Sequence, residues 1–347
     1  MMLRAACVVT VLVSLAGCQL GYYAHLARGH LALMGDTRPV ESLLADPATG
    51  ADLRARLQLA AAALAFAEQE LGLEAGDAYR DYVDLERDYV VWNLVAAPAF
   101  SLTPEQWCYP VAGCASYRGF FDRARADRLR ASLEARGLDV YGSGAIAYST
   151  LGWFDDPLTS AMLGGSPAWT VELLFHELVH RRLYVKGDTR FNESLATAVA
   201  REGRRRWLAR QEGQSETMES RQRHDRAAAR VDAWVDDARQ RLQALYDSEL
   251  PADEKRAGKA RVQAWLRDTY AQALAQDDSL APWRDWFDGP LNNAQLALRE
   301  DYLGDVAAFE KMILDCGGNM ACFWESADRL AAMPAEPRRQ WLEDQQQ

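Results

Sequence analysis

Residues 166–186 read SPAWTVELLFHELVHRRLYVK, and the rest of the chain is best read outward from them. Ser166 followed by Pro167 is a helix start, a hydroxyl cap and then a proline at the first helical position, where no N–H is needed. Val171, Leu174, Phe175, Leu178 and Val179 make the following helix apolar, so it is expected to be buried. Inside it lie His176, Glu177 and His180. Positions i and i+4 share one helix face, so the two imidazoles can hold a single zinc ion. Glu177 sits one residue further on, about 100° around the axis, where it can face a water rather than the metal. The chain has only five histidines in 347 residues. With that composition a chance match to this spacing is expected on the order of 0.4% of the time. Two histidines and a carboxylate on an apolar helix would be costly to bury without a partner, and a metal removes that cost.

The pattern is the H-E-x-x-H arrangement of zinc peptidases, with Glu177 as the proton carrier. A catalytic zinc takes three protein ligands and keeps one open position. The metzincin pattern is excluded, because Leu183 and Lys186 stand where it needs Gly and His. Lys186-Gly187-Asp188-Thr189 is a turn signal, and Phe191-Asn192-Glu193-Ser194-Leu195 begins a second helix. A short turn would let that helix pack back across the first and face Glu193 toward the histidines. This segment resembles the Asn-Glu ligand segment of the gluzincin peptidases, with a shorter spacer. Thr197 stands where that pattern has an acidic supporting residue, which makes it a weaker candidate for supporting the ligands. The expected metal set is His176, His180 and Glu193, with one Zn2+ per chain.

Around this pair most of the chain reads as helix. Asp52–Leu73 carries an apolar stripe at helical spacing, 121–136 is charged and helical, and a last helical group covers 291–333. Residues 215–275 are Ala/Leu periodic and break at Ser248-Glu249-Leu250-Pro251, which predicts a long helical hairpin. Tyr89–Leu102 (YVVWNLVAAPAFSL) reads as a buried strand. Residues 138–151 (LDVYGSGAIAYSTL) predict a hairpin with Gly142 and Gly144 at the bend and a short apolar strand Ala145–Tyr148. The expected class is mainly α (α+β): a zincin-like metallopeptidase core with a small sheet, in one domain over 18–347, with the hairpin about 215–275 as an insertion.

The N-terminus is a different kind of segment. Arg4 precedes an apolar run from Ala5 to Ala16, too short to span a bilayer comfortably and typical of a secretory signal. Leu15-Ala16-Gly17-Cys18 resembles the bacterial lipobox, which makes 1–17 a lipoprotein signal peptide and Cys18 the lipidated first residue. Gln19, in place of Asp, points to the outer membrane, facing the periplasm. Acyl chains anchor at about 0.8 kcal/mol per buried methylene. Cys7 leaves with the signal, and Cys108, Cys114, Cys316 and Cys322 remain. They fall in two close pairs with no C-x-x-C, which argues against a zinc ribbon. An oxidising compartment permits disulfides, and of three possible connectivities proximity favours the two local ones. The net charge is −11, so nucleic acid is not an expected partner.

The chain as a whole resembles a family of bacterial proteins predicted to be zinc aminopeptidases, many of them lipoproteins. The matching segments are YVVWNLVAAPAFSL, CYPVAGCASYRGFF, LDVYGSGAIAYSTLGWFDDPL, the HELVH helix, FNESLATAVAREG and LNNAQLAL with Tyr302. The resemblance implies a peptide substrate, and Tyr148, Tyr302 and Asn293 become candidate donors to the oxyanion of the tetrahedral intermediate. The strand Ala145–Tyr148 could take an extended peptide as an added strand. Aminopeptidase action needs a carboxylate for the substrate's free amine, and Asp155 or Asp156 can serve; the G-x-M-E-N amine-binding segment is absent. Exo- and endo-action both remain open. A contrasting reading is an inactive zincin-fold envelope lipoprotein serving as a binding or structural module, and the intact Glu177 argues against it.

Overall fold

The computed structural model of the chain describes residues 20–109, 113–148, 150, 154–210 and 215–345, of which 215–222 by backbone alone. The signal segment, Cys7 and Cys18 lie outside the described residues. Helix α1 covers 20–35. It is followed by β1 (Arg38–Pro39), α2 (Val40–Ala45) and α3 (Ala51–Phe66), which runs on into a π-helical turn, Ala67–Leu71. Then come β2 (Asp81–Val83), β3 (Val91–Ala97), β4 (Trp107–Tyr109), β5 (Gly113–Ala115), β6 (Tyr117–Phe120), α4 (Arg123–Ala135), β7 (Asp139–Ala145) and β8 (Leu158–Thr159). The remainder is helical: α5 (Pro167–Arg182), α6 (Thr189–Ala209), α7 (Ser215–Asp247), α8 (Ala252–Leu274), α9 (Arg284–Phe287), α10 (Asn293–Leu303), α11 (Val306–Asp315), α12 (Met320–Ala331) and α13 (Ala335–Asp344). The protein is therefore mainly α with small sheets. No described helix is long and apolar enough to cross a membrane.

The central sheet has the order β6-β3-β7, with both neighbours antiparallel to β3. Strand β3 is covered on both faces. Val95 and Ala97 meet Ala294 of α10 on one side, while Leu94 and Ala96 pack with Ala126 and Leu133 of α4 and Tyr22 of α1 on the other. A strand buried on both faces needs a continuous apolar run, not alternation, which is why Tyr89–Leu102 reads as it does; the paired part is Val91–Ala97.

Among the described residues of 138–151 the expected hairpin is not formed. Residues Asp139–Ala145 form one unbroken strand paired along its length with β3, and Ala145 alone of the expected Ala145–Tyr148 strand is in it. Gly142 and Gly144 answer to packing, not to a bend. A Cβ at Gly142 would stand 2.0 Å from Nη2 of Arg130, and one at Gly144 would stand 2.1 Å from the ring of Tyr89. The glycines let those long side chains lie across the strand. β7 is nonetheless an edge strand.

The largest apolar core gathers α3, α5, α6, α11 and α12 around Leu71, Phe175, Leu195, Phe309 and Phe323. A second cluster lies under the α7–α8 hairpin and holds Val231, Leu242, Leu266 and Tyr270, so the hairpin expected from 215–275 is present with its break at 248–251. The two local disulfides, Cys108–Cys114 and Cys316–Cys322, are the ones formed.

The seam between α5 and α6 is set at Gly203. A Cβ there would fall 2.5 Å from Cδ2 of Phe175 and 2.7 Å from Cδ1 of Leu71, both in fully buried side chains. Gly203→Ala is expected to destabilise the protein by about 1–3 kcal/mol through overpacking, more than the roughly 1 kcal/mol that alanine gains as a helix former. A lower urea midpoint with unchanged slope would register this; an unchanged or higher midpoint would count against the tight seam.

Candidate metal centre and its surroundings

The starts of the two site helices are fixed by local chemistry. Ser166 caps α5 by accepting from Trp169 N at 3.3 Å, with Pro167 in the first turn. Between the helices, Gly187 turns with φ 80°, and Asp188 caps α6 by accepting from Phe191 N at 3.1 Å. Asn192 closes the turn from inside. Its Oδ1 accepts from Val185 N at 2.7 Å and its Nδ2 donates to Val185 O at 2.8 Å. A two-way amide clamp of this kind fixes the rotation of the first turn of α6 and, with it, the next residue, Glu193. The disulfide hairpin β4–β5 leans on the same turn: a Cβ at Gly113, itself at φ 84°, would fall 2.7 Å from Gly187 N.

Glu193 is thereby brought to the histidines. Nε2 of His176 lies 3.1 Å from its Oε2, Nε2 of His180 lies 3.5 Å from the same oxygen, and the two Nε2 atoms are 3.2 Å apart. Four-coordinate zinc with bonds near 2.1 Å separates neighbouring donors by about 3.4 Å. The three observed edges bracket that value. The donor set, two imidazoles and a carboxylate, is also the right one for zinc. No other group of three or more His, Cys, Asp or Glu among the described residues converges in this way. The residues present therefore fit a metal ion.

Electrostatics agree with a ligand role for Glu193. Burial acts to raise its pKa, but His180 and His176 overcome that and hold the carboxyl well below the usual range, so it stays ionised. Glu177, on the same helix, goes the other way. Burial raises it, the two histidines pull it back in part, and Glu193 and Asp156 push it up. His180 is buried, whereas His176 is only partly covered, so the cluster is reached from the His176 side.

Four tyrosines lie within electrostatic reach of the cluster's carboxylates: Tyr79, Tyr117, Tyr184 and Tyr302. Each has its pKa raised, and Glu193 or Glu177 contributes to every one of these shifts. Tyr302 stacks on His176 with ring centroids 6.1 Å apart and planes 15° from parallel. It reaches the site on α10, whose neighbour Asp301 accepts from Ser116 Oγ at 2.5 Å. Burial pushes the Asp301 carboxyl up to about 7, with help from the charge of Glu193. Of the three residues named as oxyanion candidates, Tyr302 is the one that contacts His176 or His180 among the described residues. Asn293 is a structural residue: its Oδ1 accepts from Tyr246 at 2.8 Å and its Nδ2 donates to Pro98 O and Ala99 O, which fastens α10 to the end of β3. Tyr148 packs against Phe121 and His30, at 5.0 and 6.0 Å between centroids, and no contact among the described residues links it to His176 or His180.

The two aspartates separate. Asp155 is exposed and lies 3.5 Å from Nη2 of Arg181. Asp156 is buried, and its charge bears on Glu177. Thr197 is half-buried one turn beyond Glu193, with no hydrogen bond among the described residues to the ligands. The sequence reading did not single out Tyr79, Tyr117, Asp301 or Ser116. Tyr117 and Ser116 lie inside the quoted CYPVAGCASYRGFF segment, and Asp301 is next to Tyr302, so adjacency to a matched segment was the signal available. Tyr79 has none.

A family model described as "Putative aminopeptidase" (Aminopep) matches residues 21–342. No curated protein and no solved structure matches the chain.

Proposed function

The chain belongs to the Aminopep family, and from that membership we propose a zinc-dependent peptidase of the bacterial cell envelope, built on a zincin-like core in one domain over 18–347. The observation that carries the zinc reading is the triangle of His176, His180 and Glu193, whose edges of 3.1–3.5 Å suit one tetrahedral ion. When bound, zinc supplies a Lewis acid that polarises a carbonyl and makes water acidic enough to lose a proton near neutrality. The chain's own residues do the rest. Glu177 follows His176 on α5, and burial makes its carboxylate more basic than usual. It takes the proton from the attacking water and delivers it to the leaving amine. Tyr302, held against His176, is positioned to donate its hydroxyl to the developing oxyanion. β7 is an edge strand of the central sheet, to which an extended peptide can add as a further strand.

Metal removal tests the reading directly. Prolonged chelation is expected to abolish hydrolysis of short unblocked peptides, and about one equivalent of zinc to restore it, from the single three-ligand set. Hydrolysis that survives metal-free preparation would exclude a metallopeptidase.

Location is a separate proposal. The segment Leu15–Cys18 supports processing before Cys18, lipidation of that residue and attachment to the outer membrane facing the periplasm. Replacing Cys18 by Ala is expected to move the protein from the membrane fraction to the soluble one, or to leave it unprocessed. Mass spectrometry that finds an unlipidated 1–17 segment on the native protein would overturn this.

A further inference from the structure

Helix α1 turns an apolar face to solvent. Leu20, Tyr23, Ala24, Ala27 and Leu31 are all exposed, Leu20 and Leu31 to 71% and 70%. At about 100° per residue these five positions fall within roughly 100° of arc, one continuous stripe along the helix. Arg28 stands at the edge of that stripe and is the one Lys, Arg, Asp or Glu in the helix. The chain carries 50 acidic residues, and the first of them is Asp36. A surface helix ordinarily puts its charges on the outer face; this one puts apolar side chains there. Phe154, 56% exposed, lies against His30 of α1 at 4.7 Å between ring centroids, so the apolar surface continues past the helix.

The opposite side of α1 is fastened to the central sheet. The Tyr22 hydroxyl donates to Gly119 O in β6 at 3.0 Å, and Nε2 of His25 accepts from Phe121 N, just past β6, at 3.1 Å. Contact is close enough at Gly29 that a Cβ there would fall 2.3 Å from the Phe121 ring. The guanidinium of Arg118 sits 3.9 Å over the Tyr22 ring. With that side engaged, the apolar stripe has no place in this chain's own core and remains outward.

Position along the chain says what covers it. Leu20 is two residues from Cys18, at most about 7 Å of extended backbone. A lipidated Cys18 is held at the bilayer surface, so the start of α1 must lie there too. A helix with one apolar face at that depth rests in the interface plane, its apolar side about 5–10 Å into the boundary between headgroups and acyl chains. The stem of Arg28, at the edge of the stripe, can then carry its charge out to the lipid phosphates. The lack of any carboxylate before Asp36 suits the same surface, because phosphates repel acids.

We propose that the Leu20–Leu31 face of α1 is a membrane-contact surface that lies on the phospholipid bilayer beside the lipid anchor. This rests on the location proposed above and adds an orientation to it. An acyl anchor alone leaves the protein free to swivel about Cys18. A helix lying flat on the bilayer and bonded to Gly119 and Phe121 sets the central sheet at a fixed attitude to the membrane.

The test uses the native lipidated protein in vesicles of phosphatidylethanolamine and phosphatidylglycerol. A bimane label on Leu31→Cys is compared with one on Asp253→Cys, whose parent side chain is 91% exposed at the start of α8. Nitroxide-labelled lipid is expected to quench the Leu31 label at least about twofold, as its depth in the headgroup boundary requires, and to leave the Asp253 label bright. The mature chain with Cys18→Ala, made without 1–17, separates the face from the anchor. It should still partition onto the same vesicles, with little loss at high salt, because burial rather than charge drives it. Partitioning should fall at least about tenfold in Leu20→Glu/Leu31→Glu, where two exposed leucines no longer gain from burial; both sites are mostly exposed, and thermal melting checks the fold. An unquenched Leu31 label on vesicle-bound protein overturns the membrane face and leaves the anchor standing. A dimer in lipid-free solution that Leu20→Glu/Leu31→Glu dissolves, with the two labels quenched alike, gives the face to a second copy and overturns the proposal as well. If the native protein carries no lipid, the anchor reading fails and the Cys18→Ala chain decides: partitioning that the double variant abolishes keeps the face, and no partitioning overturns it.

Discussion

Glu177→Gln is expected to keep the metal and lose peptide hydrolysis by at least about 10²-fold, the usual scale for removing a general base. The division of labour follows from one residue of offset on α5. His176 and His180 turn their Nε2 atoms to Glu193 at 3.1 and 3.5 Å, while Glu177 makes no bond in that triangle. Glutamine preserves the volume and one carbonyl oxygen of the buried side chain, so the helix and the ligands should stay as they are. It cannot accept a proton. The measurement is made in pairs: metal content by elemental mass spectrometry, and hydrolysis of a short unblocked peptide. Cleavage as fast as the parent's would end the hydrolase reading, whatever the metal content.

Replacing His176 and His180 together by Ala is expected to reduce bound zinc from about one per chain to background, because only one of three donors remains. Glu193→Ala should be milder for metal but just as visible in rate. Two imidazoles still hold the ion weakly, and affinity and activity fall together. The buried setting sharpens the contrast. Glu193 is only 5% exposed, and its charge is compensated by the two histidines. Removing it leaves those imidazoles with no carboxylate, and removing them leaves a buried carboxylate with no cation, the more costly outcome. Undiminished zinc in the double histidine variant would place the metal elsewhere. Zinc held as tightly by Glu193→Ala as by the parent would mean a different third ligand, and the first turn of α6 would lose its assigned part.

What could be read from the sequence was whatever one helix or one turn decides. Ser166-Pro167 specified where α5 starts, because a cap and a proline act on their own first turn. The spacing of His176 and His180 specified a face, with Glu177 about 100° off it, because 3.6 residues per turn is a property of the helix alone. Gly187-Asp188 announced the reversal, and the short connection left α6 little choice but to return across α5, so Glu193 was legible too. The failures lie where a residue's role depends on a segment far away in the chain. Gly142 and Gly144 have the local signature of a bend, yet they sit in a straight strand because Arg130 and Tyr89 cross it. Asn293 stood in a conspicuous segment, but its amide is consumed by Tyr246, Pro98 and Ala99, which only folding brings within reach. Tyr79 belongs to no motif at all. Its left-handed backbone is joined by a hydrogen bond to Asp156 O, 77 residues on, and a pairing across such a distance is set by tertiary packing, not by any pattern along the chain.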